Sequence, residues 1–290
     1  MKPEKTNRKP LWLKTKLPNT KQYNQVKQVV ELNHLHTICS SGKCPNIGQC
    51  WTNGTATFMI SGNICTRACR FCATETGKPL PLDADEPLKI AQAVRLMNLS
   101  HCVITSVDRD DLPDKSASHW AETITQIRLL NPKTIVEVLT PDFDAQENLL
   151  QIVFNSKPDI FSHNIETVKS LTPQIRSRAR YDLSLRVLEL AKQAQLITKT
   201  SFMLGLGESK EEVIELIHDI KSVGCNLLAI GQYLQPTKQN TPVIRYVPPQ
   251  EFDFYKEKAL QIGFDQVESG PLVRSSYMAE KTFIESKLRP

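Results

Sequence analysis

The 290-residue chain is 40% hydrophobic and carries a formal charge of +5, and no apolar run approaches the roughly 20 residues that a membrane-spanning helix requires. These values argue against a disordered chain, a short disulfide scaffold and an α-helical membrane protein, and they fit one α/β domain. The basic excess gathers at the N terminus, where Lys2, Lys5, Arg8, Lys9, Lys14, Lys16 and Lys21 stand against one acid, Glu4. A solvated tail is the plain reading of such a run, an acidic macromolecular partner is the sharper one, and nucleic acid is disfavoured because no binding motif accompanies the charge.

Six of the eight cysteines follow within 34 residues, in two groups of three. Cys39, Cys44 and Cys50 are spaced C-x4-C-x5-C; Cys65, Cys69 and Cys72 are spaced C-x3-C-x2-C. A [4Fe-4S] cluster takes four ligands, so a triplet of thiolates leaves one iron open to another group. Structural zinc uses complete sets of four built from C-x2-C pairs, and only Cys69 and Cys72 make such a pair. His34 and His36, just before Cys39, read as local polar residues rather than ligands.

Beyond the first triplet, apolar runs suited to buried strands cover residues 55–60, 102–106, 135–139, 159–163, 200–204 and 227–231,. Helical apolar spacing predicts helices over 88–99, 120–130, 183–194 and 213–223. Ser209 with Glu212 reads as a capping box, and Asp144 with Glu147 has the same cap pattern. Six strand–helix units fit a partial parallel barrel or an open doubly wound sheet, and periodicity does not choose between them.

In a parallel barrel the C-terminal strand ends form the active face. The second cysteine triplet follows the first strand, Ser106 and Asp108 the second, Asp142 the third, Asn164 and Glu166 the fourth, Gly205 and Gly207 the fifth and Gln232 the sixth. An Asp or Asn at such a place is also a common turn residue or cap. The GLGE stretch lacks both G-x-G-x-x-G and a G-K-[ST] ending, which disfavours a phosphate loop. Cys102 and Cys225, at the starts of apolar segments, read as core.

The C-x3-C-x2-C triplet with Phe71 before its last cysteine resembles the radical S-adenosylmethionine (SAM) superfamily. C-x4-C-x5-C just upstream, with Arg274, Ser275, Ser276 and Tyr277 (RSSY) near the C terminus, resembles the lipoyl synthase family. The stretches ATFMI (56–60), TSVDRDDL (105–112), HNIE (163–166), GLGE (205–208) and GQYLQP (231–236) are similar to that family too. One departure stands out: Pro113, Asp114, Lys115 and Ser116 replace the family's usual glycine-containing turn.

The resemblance implies an α/β fold, a partial parallel (βα)6 barrel of radical SAM type over residues 54–235. It sits between an N-terminal extension, 1–53, with the auxiliary cluster cysteines and a C-terminal region, 236–290, with RSSY. It implies two [4Fe-4S] clusters and SAM: one cluster on Cys65, Cys69 and Cys72, with SAM on its open iron, the other on Cys39, Cys44 and Cys50 with a serine of RSSY, Ser276 rather than Ser275. Phe71, Ser106, Asp108, Asn164, Glu166 and Arg178 become the expected SAM contacts, Glu166 for the ribose hydroxyls and Arg178 for the carboxylate, with Gly205 and Gly207 letting the backbone pass close by. The implied reaction inserts two sulfur atoms at C6 and C8 of a protein-bound octanoyl-lysine. Implied partners are octanoylated lipoyl carrier domains of 2-oxoacid dehydrogenase E2 subunits and glycine cleavage H protein, a flavodoxin or ferredoxin, and an iron–sulfur carrier, with neither nucleic acid nor membrane. No long leader precedes Trp12, so a bacterial cytoplasmic protein is expected. A different radical SAM enzyme or an iron–sulfur electron carrier are the competing readings.

Overall fold

The computed structural model describes residues 9–14, 20–33, 35–52 and 55–276. Lys2, Glu4, Lys5, Arg8, Lys16, His34 and Tyr277 lie outside them. After a 3-10 turn at Leu11–Leu13 the chain forms helix α1 (Lys21–Leu32), strand β1 (His36–Thr37), and helices α2 (Ile38–Ser41) and α3 (Ile47–Thr52). Strands β2 (Thr57–Ile60), β3 (Ile64–Cys65) and β4 (Glu75–Thr76) precede α4 (Glu86–Leu96), β5 (His101–Ser106), α5 (Ala117–Leu130), β6 (Ile135–Leu139), α6 (Glu147–Asn155) and β7 (Ile160–Ser162). Then come α7 (Thr172–Ile175), α8 (Tyr181–Gln193), β8 (Ile197–Leu204), α9 (Lys210–Ser222), β9 (Leu227–Gln232), α10 (Pro249–Ile262) and β10 (Gln266–Gly270).

The main sheet has the order β1-β2-β5-β6-β7-β8-β9-β10. β1 is antiparallel to β2, and every later pairing is parallel. All six expected strands form, and the C-terminal region adds β10 as a seventh parallel strand beside β9. Its QVESG sequence has no apolar run, so only the neighbouring strand defines it. The four expected helices also form, each beginning two or three residues before its expected start.

Alternation along the strands separates two interiors. Phe58, Ile60, Cys102, Ile104, Val136 and Val138 pack outward on Ile90, Val94, Trp120, Ile124 and Leu150. Phe202, Leu204, Leu228, Ile230 and Val267 do the same against Leu216, Ile217, Ile220, Phe252 and Tyr255. Cys102 and Cys225 are fully buried in these layers, among Val, Leu, Ile and Phe side chains whose burial contributes about 1.5–3 kcal/mol each. Facing inward, Ile135, Ile160, Ile197 and Leu227 plug the N-terminal strand ends. Farther along comes an ionic layer: Lys199 Nζ is 2.9 Å from the Glu137 carboxylate, which also meets Ser162 Oγ at 2.9 Å and His101 Nε2 at 3.3 Å. Among the described residues no helix is long and apolar enough to cross a membrane.

Ser209 and Glu212 form the expected capping box of α9. The matching cap at Asp144 is not made: Gln146 precedes α6 without a side-chain bond, while the Asp144 carboxylate meets Lys115 at 2.9 Å and Arg178 at 3.2 Å. In the departing loop Lys115 and Ser116 take φ of 50° and 66°, the left-handed region where glycine costs least,. Asp114 compensates by accepting the N–H groups of Ser116 at 3.0 Å and Ser118 at 3.1 Å.

Candidate active site

Met59 of β2, Thr105 and Ser106 of β5, Leu139 of β6, Met203 of β8 and Gln232 of β9 line one cavity of about 560 Å³. Five strands, with His163 and Asn164 just past the end of β7, therefore curl around a single space at their C-terminal ends, as in a partial barrel, and its size suits a cofactor with an apolar substrate chain.

Cys65, Cys69 and Cys72 line one wall. Their loop is tied from three sides. Thr66 N–H donates to Asp108 O at 3.1 Å, Arg70 N–H to Ile175 O at 2.8 Å, and the Arg70 carbonyl accepts Thr241 N–H at 3.0 Å. Asn240 Nδ2 donates to the carbonyls of Cys72 at 2.8 Å and Arg70 at 3.2 Å. The thiols themselves accept backbone N–H groups: Cys65 from Asp108 at 3.3 Å and Arg67 at 3.4 Å, Cys72 from Thr74 at 3.4 Å. Such N–H···S contacts are the hydrogen bonds that tune an iron–sulfur cluster. Burial pushes the Cys65 thiol up to about 12, with the Asp108 charge adding to it, and a cationic centre such as iron would favour its thiolate.

Behind this loop Arg67, inside CTRAC, binds Asp110 through Nε at 2.7 Å and Asp142 through Nη1 at 2.7 Å, and lies 3.3 Å from Asp108. Burial opposes ionisation of Asp110, yet Arg67 holds it at about 2. For Asp108 burial wins, and its pKa rises to about 6.

In the same cavity lining, Ser106 Oγ, Thr140 Oγ1, Asn164 Oδ1 and Arg176 Nε are buried without a hydrogen-bond partner among the described residues. Buried polar atoms are ordinarily paired, so this set fits a polar ligand such as SAM. Glu166 joins it from a left-handed backbone, φ 71°, and accepts Asn164 Nδ2 at 3.1 Å. His163 is buried and held neutral by that burial, its pKa lowered to about 4. Its Nδ1–H donates to Thr140 O at 2.9 Å, its Nε2 accepts Ser184 Oγ–H at 3.1 Å, and Ser184 accepts Arg176 Nη1 at 2.8 Å. The chain of bonds fixes where Arg176 points.

Phe71, Ser106, Asp108, Asn164 and Glu166 line the cavity as expected; Arg178 does not. Its half-exposed side chain pairs with Asp110 at 3.6 Å and Asp144 at 3.2 Å, while Arg176, two residues earlier, reaches the cavity. Gly205 and Gly207 are also absent from the lining. Glu208 accepts the N–H groups of Gly205, Leu206 and Gly207 at 2.7, 2.9 and 3.1 Å, and a Cβ at Gly205 would lie 2.2 Å from Gln232 Nε2. Gly205 serves this internal packing, and Gly207 supplies a φ of 119° that favours glycine,.

The auxiliary triplet stands behind another wall of the cavity, formed by Ile38, Gly42, Lys43 and Pro45. Cys39 is buried against Thr57 and Trp51, and burial raises its pKa. Burial likewise pushes Cys50 up to about 12, with Cys39 and Cys44 as charged neighbours. The RSSY tail docks here. Asn46 Nδ2 donates to Leu272 O at 2.6 Å, Thr57 Oγ1 donates to Ser276 Oγ at 3.0 Å, and Arg274 and Ser275 line the cavity. Among the described residues no three His, Cys, Asp or Glu side chains gather around one point as ligands of a single ion; thiolates on three corners of a cluster stand wider apart. Three thiolates and a hydroxyl fit a [4Fe-4S] set with one weak ligand.

Sequence reasoning overlooked Arg67, Arg176, His163, Thr140 and Asn240. Arg67 lay in view between cysteines and His163 opened the HNIE stretch, whereas Asn240, in a loop of no recognisable pattern, carried no signal.

The chain matches the family model for the radical SAM superfamily over residues 59–220 and that for the N-terminal domain of lipoyl synthase over residues 1–44. Lipoyl synthase of Parabacteroides distasonis is 56% identical over 274 residues, 94% of this chain and 98% of its own length. That of Bacteroides fragilis is 56% identical over 278 residues, 96% of each chain, and that of Treponema denticola 51% over 274 residues, 94% of each. Among solved structures, methylornithine synthase superposes with a TM-score of 0.53 at 12% identity, covering 88% of this chain and 84% of its own. SuiB of Streptococcus suis gives 0.57 at 12%, covering 73% and 48%; these two share the fold. The cysteine triplets, the strand-end cavity and the full-length likeness agree, and the chain belongs to the lipoyl synthase family of radical SAM enzymes.

Proposed function

We propose that this chain inserts two sulfur atoms at C6 and C8 of an octanoyl chain held in amide linkage on a lysine of a carrier protein. The observation that supports it best is the single cavity bounded on one wall by the Cys65, Cys69 and Cys72 loop and on another by the auxiliary loop and the RSSY tail. When bound, SAM on the first cluster supplies the hydrogen-abstracting radical and the auxiliary cluster supplies sulfur. Cys65, Cys69 and Cys72 hold the first cluster; Cys39, Cys44, Cys50 and Ser276 hold the second. Ser106, Asn164, Glu166 and Arg176 bind SAM, Arg176 taking the carboxylate role first expected of Arg178. Phe71 packs with Ile175, Leu206 and Tyr233 as an apolar wall, and with Met59, Leu139 and Met203 it keeps water from the reacting carbons.

Substrate protein, reductant and cluster-rebuilding carrier follow from the same reading: octanoylated E2 and H-protein domains, a flavodoxin or ferredoxin, and an iron–sulfur carrier, all in the cytoplasm. The test is anaerobic reconstitution, about eight irons per chain, followed by reaction with an octanoylated carrier domain and mass spectrometry. Two added sulfurs support the proposal; SAM cleavage without sulfur insertion points to another radical SAM reaction, and no SAM cleavage to an electron carrier. For the fourth ligand, Ser276→Cys should keep SAM cleavage while sulfur insertion falls sharply, because thiolate releases iron less readily than a hydroxyl. Wild-type insertion in both Ser276→Cys and Ser275→Cys would remove serine from the auxiliary site.

A further inference from the structure

Arg274 is a cation in an unusual setting. Its guanidinium lines the cavity, and among the described residues it has no carboxylate partner: the bond it makes is from Nη1 to Val273 O at 2.6 Å. Arg176, lining the same cavity, likewise lacks an acid partner among the described residues and bonds Ser184 and the Ile165 carbonyl, whereas several other arginines are matched by acids. Arg67 lies among Asp108, Asp110, Asp142 and Asp144, Arg109 pairs with Asp111 at 2.9 Å, and Arg245 with Glu251 at 2.6 Å. Cys44 of the auxiliary triplet is the group whose thiolate form would act on the charge of Arg274.

Its position is also enforced. The tail carrying it is held by Asn46 at Leu272 and by Thr57 at Ser276. It lies over Gly231, where a Cβ would stand 2.2 Å from Val273 O and 3.3 Å from Arg274 Nη1. The missing side chain at Gly231 makes the room in which the guanidinium sits. A partly buried cation without a counter-charge at a cavity wall is completed by an anion brought to it,.

We propose that Arg274 is the counter-cation of the auxiliary cluster, a positioning residue whose free N–H groups face the cluster sulfurs and offset the negative charge of the thiolates. The inference rests on the assignment of Cys39, Cys44 and Cys50 as the cluster's ligands. Guanidinium has five donors and one is spent on Val273 O, which leaves N–H groups for sulfur acceptors. Lysine preserves the charge without the fork, glutamine preserves donors without the charge, and this difference separates an electrostatic role from tail packing.

The full chain, anaerobically reconstituted, is compared as wild type, Arg274→Gln and Arg274→Lys, reading iron retained under a chelator and the potential of each cluster by EPR-monitored titration. The signal that responds to added SAM marks the Cys65 cluster and serves as internal reference. Arg274→Gln should lose about half its iron about tenfold faster than wild type, the factor of a charge-assisted hydrogen bond, and the auxiliary potential should move negative. Arg274→Lys should stay within about threefold of wild type, since the charge remains. Wild-type iron retention and potential in Arg274→Gln would overturn the proposal, as would an Arg274→Lys chain as labile as the glutamine variant. If Arg274→Gln fails to fold, Arg274→Met takes its place with the same expected loss. A wild-type chain holding about four irons would instead sink the assignment of the auxiliary ligands.

Discussion

Replacing Gly231 by alanine tests whether the C-terminal tail is set by β9. The added Cβ would lie 2.2 Å from Val273 O and 3.1 Å from its carbonyl carbon, where ordinary contact begins at 3.4 Å, so one side must retreat by about 1.2 Å. β9 is paired with β8 on one edge and β10 on the other, and cannot yield cheaply. The tail has fewer ties, the bonds Asn46 to Leu272, Thr57 to Ser276 and Val273 N–H to Gly270 O, so the tail moves. Overpacking of this kind costs about 1–3 kcal/mol, and each kcal/mol lowers Tm by about 2–4 °C in a domain of this size. The same displacement carries Arg274 and Ser276 away from Cys44 and Thr57. We expect a folded chain with Tm lower by several degrees that keeps the Cys65 cluster and loses the auxiliary one, read by calorimetry and iron analysis. Gly270→Ala is the control, because its Cβ would meet Val273 Cγ2 at 3.4 Å, an ordinary contact. Unchanged Tm and iron in Gly231→Ala, or equal losses in Gly270→Ala, would refute the packing argument.

Lys199→Met strands the buried Glu137 carboxylate and should cost about 3–5 kcal/mol in urea unfolding, while Glu137→Leu combined with Lys199→Met should recover much of it; a small single-variant effect would show that the layer is not tightly desolvated. His163, lowered to about 4 by burial, stays neutral in the folded chain while its unfolded counterpart takes a proton near 6.5. Its contribution is therefore complete above about pH 6.5 and is lost as pH falls toward 4, so unfolding midpoints at pH 7 and pH 5 should differ less in His163→Asn than in wild type, and an identical difference would refute the burial argument. Asn240→Ala removes the donor to the Arg70 and Cys72 carbonyls, about 1–2 kcal/mol; faster hydrogen exchange across residues 66–73 is expected, and a wild-type exchange pattern would show that Thr241 and Ile175 suffice.

Legibility followed local physics. The run at 135–139 is bounded as a strand because its apolar residues face helices on one side and barrel interior on the other, whereas Gln266–Gly270 becomes a strand only by joining β9. The cysteine spacings pointed to both loops before any contact was known. The RSRAR run at 176–180 offers three arginines with identical credentials, and only the bond network through Ser184 and His163 selects Arg176 for the cavity. Asp144 looked like a cap because capping is read from near neighbours, while Lys115 and Arg178, which hold it, come from other loops.

The tail's two anchors also bear on when the site comes into being. Asn46 to Leu272 and Thr57 to Ser276 join residues 226 and 219 positions apart, among the longest sequence separations the fold contains. During synthesis at about 5–20 residues per second the N-terminal cysteine loop is made well before the segment that covers it. Cys39, Cys44 and Cys50 thus wait without their lid through most of translation, and an auxiliary cluster delivered in that interval would lack both its serine and its arginine. Conditions that stall the last strand would leave the auxiliary site without Ser276 and Arg274, so a cluster delivered before then would rest on the three thiolates alone.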